Sequence, residues 1–76
     1  MFEQVKRILV DVIHVDEAIV SLEASLKEDL DIDSLAAVEL ALELESVFGV
    51  RIEDEELAKL ETVGDVVNIL EKKLNS

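Results

Sequence analysis

The sequence predicts an all-α fold, a small four-helix bundle of three longer helices and a short third one, with a long loop between helices one and two. Three observations predict it: there is no proline, no stretch keeps the apolar and polar alternation of a strand, and apolar residues recur at spacings of three and four. With 76 residues and no internal repeat, the chain is expected to form one domain, 1–76, around a single small core.

Helix one is predicted over residues 2 to 14. Its apolar positions follow helical spacing: Phe2, Val5, Ile8, Leu9, Val12 and Ile13. The segment 15–33 keeps scattered apolar residues without a sustained period, so it is predicted to be a long ordered connection. Within it, Ser25 and Glu28 have the spacing of a capping box that would open one short turn.

Helix two is predicted over residues 34 to 48, because Asp33 is a favourable N-cap and Gly49 is a typical residue to end a helix. Its apolar residues fall on two lines: Leu35, Val38 and Leu42 on one, and Leu40, Leu44 and Val47 on the other. The first line can belong to the core or form an exposed strip for a partner, and the sequence leaves both interpretations open.

Two further helices are predicted in the last third of the chain. The third is short, residues 54–60, is entered through an extended segment 50–52, and turns Leu57 and Leu60 inwards. The fourth begins after Thr62, whose cap Asp65 can reach. Lysines 72 and 73 complement its C-terminal end, and its inward stripe is expected to contain Val63, Val66, Val67, Leu70 and Leu74.

Composition limits the classes of function. Seven Lys and Arg against nineteen Asp and Glu give a net charge of −12, which repels nucleic acid and anionic membranes and favours basic protein partners. The absence of cysteine excludes disulfides and thiolate metal sites. Two phenylalanines and no Trp or Tyr leave little for stacking on bases or sugars. No segment resembles a signal peptide or a membrane span, so a cytoplasmic location is expected.

Ser34 is the strongest candidate for chemistry. It follows Asp33 and should lie in the first turn of helix two with its hydroxyl facing solvent. A phosphodiester attached there would sit at the positive end of the helix dipole, beside backbone N–H groups that have no partner within the helix. A serine at this position is also an ordinary first-turn residue, so the position alone does not establish a modification.

Metal binding and catalysis are disfavoured. Asp29, Asp31 and Asp33 match the first ligands of a calcium loop, but Ser34 stands where that loop needs glycine and Leu40 where it needs glutamate. We therefore predict no specific metal site, although weak binding of divalent cations by these carboxylates is open. His14 is the only histidine, and it is expected at the surface; with no cysteine, little remains to build a catalytic site, so no enzyme is predicted.

The order and spacing of several motifs resemble acyl carrier proteins of dissociated fatty-acid synthesis over nearly the whole chain. The strongest part is Asp33-Ser34-Leu35 followed by Val38-Glu39-Leu40. Further matching segments are Ser25-Leu26, Glu28-Asp29-Leu30, Ile52, Asp54-Glu55-Glu56 and Thr62-Val63.

The resemblance implies that Ser34 carries 4′-phosphopantetheine, transferred from coenzyme A by a separate phosphopantetheinyl transferase, and that the thiol of this arm holds acyl chains as thioesters. It implies a monomer whose second helix is recognised by basic patches on fatty-acid synthesis enzymes. The recognition residues it implies are Asp33, Leu35, Val38, Glu39, Leu42, Glu43 and Glu45. The acyl cavity it implies is lined by Val38, Leu40, Leu44, Ile52, Leu57, Leu60, Val66 and Ile69.

Three positions depart from the usual pattern of such proteins. Ala36 stands where an acidic residue is usual, Asp31 where glycine is frequent, and Glu53 where proline is frequent. The first removes one expected charge contact, and the other two affect the loop before Ser34 and the start of helix three. Carriers of polyketide, peptide or aminoacyl pathways are an alternative, as is an acidic helical adaptor without a prosthetic group.

Overall fold

A computed structural model describes residues 1–75, and within them the predicted all-α fold is confirmed. Its α-helices are α1 (Phe2–Ile8), α2 (Ser34–Phe48), α3 (Asp54–Ala58) and α4 (Val63–Leu74). In this described part of the chain there is no strand, only an isolated antiparallel bridge between Ser25 and Thr62. No helix in it is both long and apolar enough to cross a bilayer.

The first helical segment is less regular than its periodicity predicts. The α-helix ends at Ile8 and continues as a π-helical turn, Leu9–Ile13, which stops at His14 in a left-handed conformation with φ 64°. Val5 and Leu9 are fully buried, and His14 is exposed as predicted. Because a π turn has a wider repeat than an α-helix, it changes the direction of the side chains that follow while keeping the segment helical.

The connection from residue 14 to 33 has internal structure. It contains a 3-10 turn, Glu17–Ile19, capped by the Asp16 carboxylate, which accepts from the Ala18 N–H at 2.9 Å. The connection then runs beside the start of α4, and three backbone bonds join the two segments: Leu26 N–H to the Glu61 carbonyl (2.9 Å), Val63 N–H to that of Ala24 (3.1 Å) and Gly64 N–H to that of Leu22 (2.9 Å). Backbone pairing therefore holds this irregular segment in place.

The capping box predicted for Ser25 and Glu28 forms with a different partner. The Ser25 hydroxyl accepts from the Glu28 N–H at 3.2 Å, as expected, but the Ser25 N–H donates to Oδ2 of Asp29 at 2.7 Å. The prediction of Glu28 as the reciprocal acceptor was wrong, because the turn closes one residue later, with the Asp29 N–H bonded to the Ser25 carbonyl.

The bounds predicted for α2 are confirmed at both ends. The helix starts at Ser34 and ends at Phe48, and Gly49 follows with φ 67° and donates its N–H to the Glu45 carbonyl at 2.8 Å. Glycine adopts this left-handed conformation without steric cost, which is why it ends helices so often. The short α3 ends at Ala58, two residues earlier than predicted.

The core lies between α1, α2 and α4 and is closed on one side by the connection. Val63, Val66 and Leu70 of α4 are fully buried, and Val67 is buried beside them. The Thr62–Asp65 capping box is present as predicted. Leu74 was predicted to extend the inward stripe, but it is 46% exposed, because it falls in the last turn of α4, outside the buried cluster.

Candidate functional site

The structure places Ser34 as the sequence predicts, as the first residue of α2 and exposed to solvent. Asp33, in an extended conformation, caps the helix through Oδ1, which accepts from the Ala36 N–H at 2.8 Å. The first N–H groups of a helix lack partners within it, so the surroundings of the Ser34 hydroxyl favour a negatively charged substituent. Local geometry therefore suits attachment of a phosphate ester at this residue.

The loop before Ser34 is fixed by two buried side chains. Leu30 and Ile32 are buried on either side of the exposed Asp31, and the Ile32 N–H donates to the Leu26 carbonyl at 2.8 Å. Asp31 has φ 54°, in the left-handed region where glycine is common and aspartate is among the better tolerated residues. The departure from glycine at this position is thus accommodated, and Ser34 starts from an anchored segment.

An apolar cavity of about 740 Å³ lies beside Ser34, bounded by α2, α3 and the connection. This volume is in the range of small-molecule binding sites. Six residues expected along an acyl cavity line it: Val38, Leu40, Leu44, Ile52, Leu57 and Leu60. Val66 and Ile69 do not line it; Val66 is fully buried in the core and Ile69 is partly buried.

The sequence reasoning missed several lining residues of this cavity. Leu26 and Ile32 belong to the irregular connection, where no period indicates which way a side chain points. Ala37, Ala41 and Ala58 are small, and alanine gives a weak signal for a lining position. Lys27 and Asp54 also line the cavity, but they are charged, and hydrophobic periodicity does not indicate them. Together with Asp33 and Ser34, they are the polar residues of the lining.

The outer face of α2 settles the alternative that periodicity left open. Leu35 is 69% and Leu42 60% exposed, and Val38 is also exposed, so this line is a surface strip rather than core. Val47, grouped by periodicity with the buried Leu40 and Leu44, is exposed as well. Exposed apolar side chains along one face of a helix make that face a candidate contact surface.

Acidic side chains accompany the apolar strip. Asp33, Glu39 and Glu43 are exposed, whereas Glu45 is partly buried and its Oε2 accepts from the Ile52 N–H at 2.7 Å. Glu45 therefore also holds the segment between α2 and α3. At the usual position of another acidic residue, Ala36 is partly buried.

The third helix, which supplies Leu57 and Ala58 to the cavity, is tied to α4 by an ion pair. Oε1 of Glu56 accepts from the Lys73 ammonium at 2.9 Å and from the Glu53 N–H at 3.0 Å. The Glu53 N–H and then the Lys73 ammonium hold the pKa of Glu56 below its ordinary value, because both stabilise the charged form. Glu53, where proline is frequent, caps α3 and pairs with Arg51 at 2.8 Å.

The acidic loop is not arranged around a common point. Asp29 and Asp33 use carboxylate oxygens to accept from separate backbone N–H groups, those of Ser25 and Ala36. Within residues 1–75, no three His, Asp or Glu side chains are grouped as a metal site would require.

Comparison with known proteins gives consistent results. A family described as "Phosphopantetheine attachment site" matches residues 3–70. The chain is 56% identical over 75 residues to an acyl carrier protein of Petrotoga mobilis, covering 99% of this chain and 88% of that protein. It is 47% identical over 74 residues to an acyl carrier protein of Thermotoga maritima, covering 97% of this chain and 91% of that one.

Solved structures agree with these sequence relatives. A crystal structure of an acyl carrier protein from Thermotoga maritima superposes with a TM-score of 0.84 at 34% identity, covering 96% of this chain and 85% of that chain. A putative acyl carrier protein from Mycobacterium tuberculosis gives a TM-score of 0.82 at 28% identity, covering 88% and 89%.

Proposed function

The chain belongs to the acyl carrier protein family, and from that premise we propose that Ser34 is the residue to which its 4′-phosphopantetheine is attached. Proteins of this family carry acyl groups as thioesters, usually in fatty-acid synthesis, and this chain is such a carrier. The observation that supports Ser34 is its exposed hydroxyl at the first turn of α2, directly beside an apolar cavity.

The residues around Ser34 fit the prosthetic group. When bound, the group supplies the thiol that forms the thioester, and this chain has no cysteine of its own. In the transfer, the Ser34 oxygen would lose its proton and bond to the phosphorus that carries pantetheine, while the pyrophosphate bond of coenzyme A breaks and adenosine 3′,5′-bisphosphate leaves. The positive end of α2 would stabilise the anionic phosphodiester that remains on Ser34. Asp33 holds the first turn in place through its bond to the Ala36 N–H.

The neighbouring cavity gives the acyl chain a place away from water. We propose that the six residues that both line it and were predicted, Val38, Leu40, Leu44, Ile52, Leu57 and Leu60, contact the chain. Each buried methylene contributes about 0.8 kcal/mol, so shelter should increase with chain length. Roles for Val66 and Ile69 stay predictions from the family resemblance.

The exposed side of α2 is the proposed recognition surface. An apolar strip (Leu35, Val38 and Leu42) flanked by Asp33, Glu39, Glu43 and the partly buried Glu45 suits partners with basic patches around an apolar contact. Such partners would be the phosphopantetheinyl transferase and enzymes of fatty-acid synthesis. We further propose a cytoplasmic monomer that catalyses no step itself.

Intact-mass spectrometry after incubation with coenzyme A, magnesium and a phosphopantetheinyl transferase tests the attachment site. The unmodified protein should gain one phosphopantetheine, Ser34→Ala should gain none, and Ser46→Ala, with a serine removed from the same helix, should gain one. Modification of Ser34→Ala would place the arm elsewhere, and an unmodified wild type beside an active control carrier would favour the acidic adaptor.

The pathway is tested separately with the loaded protein. Efficient use by malonyl transferase and ketosynthase of fatty-acid synthesis would support that pathway. Loading only by a dedicated acyl or aminoacyl ligase would indicate a specialised carrier.

A further inference from the structure

One cation lies among the residues that line the cavity beside Ser34. The polar members of this lining are Lys27, Asp33, Ser34 and Asp54, and the others are apolar. The two aspartates bring negative charge to the place where a phosphodiester on Ser34 would add more. Lys27 is therefore the one lining side chain whose charge can offset that repulsion.

Backbone geometry brings Lys27 close to the start of α2. The Ile32 N–H donates to the Leu26 carbonyl at 2.8 Å, so these two residues are joined across the turn between them. Lys27 directly follows Leu26, and Asp33 and Ser34 directly follow Ile32. Both joined residues are buried, and the Leu26 N–H is also bonded to the Glu61 carbonyl at 2.9 Å, which fixes this junction.

The charge of Lys27 is not engaged elsewhere in the described part of the chain. Ion pairs among residues 1–75 involve Lys6, Arg51 and Lys73, each with a glutamate. Lys27 is exposed and forms no such pair, although acidic residues line the same cavity. A lysine side chain is a flexible stem with a compact positive charge, which can follow a phosphate without a fixed geometry.

We propose that Lys27 is a positioning residue for the prosthetic arm: its ammonium pairs with the phosphodiester on Ser34 and directs the arm towards the cavity. This inference rests on the proposed attachment at Ser34. The N–H groups at the start of α2 attract the phosphodiester from one side, and Lys27 holds it from the side of the cavity. The acyl chain then begins its path next to the opening that shelters it.

Thioester protection measures this positioning. The protein loaded with an octanoyl group is exposed to hydroxylamine at neutral pH, and the loss of the acyl group is followed by intact mass. Lys27→Gln should lose it about twofold to fivefold faster than the wild type, the range expected for an exposed charge pair. Lys27→Arg should match the wild type, and so should Lys59→Gln, in which an exposed lysine outside the cavity lining is changed.

The salt dependence of the rate of acyl loss distinguishes a charge pair from a packing contact. In about 0.5 M salt, where charges at the surface are screened, the wild-type rate should approach that of Lys27→Gln, whereas the rate of Lys27→Gln should hardly change. If the arm is attached and Lys27→Gln reacts at the wild-type rate, or Lys27→Arg reacts as fast as Lys27→Gln, the Lys27 inference is overturned alone. If no arm is attached to the wild type, the proposed function fails first.

Discussion

Helices α2 and α4 both carry many aliphatic side chains, yet they use them in different ways. In α4, Val63, Val66 and Leu70 are fully buried, and the opposite face is polar. In α2, Leu40 and Leu44 are buried while Leu35 and Leu42 are mostly exposed. The buried aliphatic residues of α4 thus stabilise the fold, whereas those of α2 are divided between the cavity wall and the proposed recognition surface.

The largest expected effect contrasts one leucine from each helix. Leu70→Ala in α4 removes a fully buried side chain and should lower the free energy of unfolding by about 2–5 kcal/mol. Leu42→Ala in α2 removes an exposed one and should change it by about 0.5 kcal/mol or less. Urea denaturation followed by circular dichroism measures both. An equal loss of unfolding free energy in the two variants would contradict the difference between the helices.

Added salt should stabilise the fold and weaken the binding of a basic partner. Because the net charge is −12, added sodium chloride or magnesium should screen repulsion and raise the melting temperature. The same screening should weaken the association of α2 with a basic enzyme. Differential scanning calorimetry and a binding titration over the same salt series test the pair of trends. A melting temperature insensitive to both salts would contradict the first.

A matched pair of charge substitutions, one in each helix, tests whether α2 and α4 differ in partner recognition. Glu39→Gln removes an exposed charge from α2 and should reduce kcat/KM with a fatty-acid enzyme about threefold to tenfold, mainly through slower association. Glu71→Gln removes an exposed charge from α4 and should leave kcat/KM unchanged. A steady-state assay of acyl transfer measures both, and an equal loss in Glu71→Gln would mean that net charge alone matters.

The smallest expected effect concerns the ion pair that ties α3 to α4. The pKa of Glu56 is lowered in the folded state, so the contribution of this carboxylate to stability is present above its ordinary pKa and is lost as the pH falls through the lowered value. Glu56→Gln should therefore melt below the wild type at pH 7, and the difference should shrink as the pH falls below the ordinary pKa of a glutamate, about 4.3.

Glu55→Gln is the control for that measurement, because Glu55 is exposed in the same helix and belongs to none of the ion pairs formed within residues 1–75. It should melt close to the wild type at both pH values. A gap between wild type and Glu56→Gln that is constant with pH would contradict an ionic origin.

Local signals explain which parts of this structure were predictable. Asp33 and Gly49 define α2 to the residue, because a cap and a left-handed glycine act within one turn of the chain. The position of Ser34 in the first turn of α2 was predictable for the same reason. Periodicity identified the apolar lines of α2 but not which of them is covered, since that depends on the elements packed against it.

The parts that could not be predicted depend on contacts between distant residues. The π turn at Leu9–Ile13 packs against α2, and nothing in its own sequence distinguishes it from an α-helix. Lys27 reaches the surroundings of Ser34 through the bond between Ile32 and Leu26, inside a segment without a period. Hydrophobic periodicity indicates secondary structure, but it contains no information about such contacts between distant residues.

The backbone bonds between the connection and the start of α4 also have a kinetic consequence. They join Leu26 to Glu61 and Leu22 to Gly64, pairs of residues that are far apart in the sequence. Contacts between such distant residues slow folding, because a long loop must close before they form. During synthesis, residues 22–26 leave the ribosome well before residues 61–64, so this wall of the cavity is secured only after residue 64 has emerged. A transferase that requires the folded loop before Ser34 would consequently modify chains in which residues 61–64 have emerged, and not shorter nascent chains.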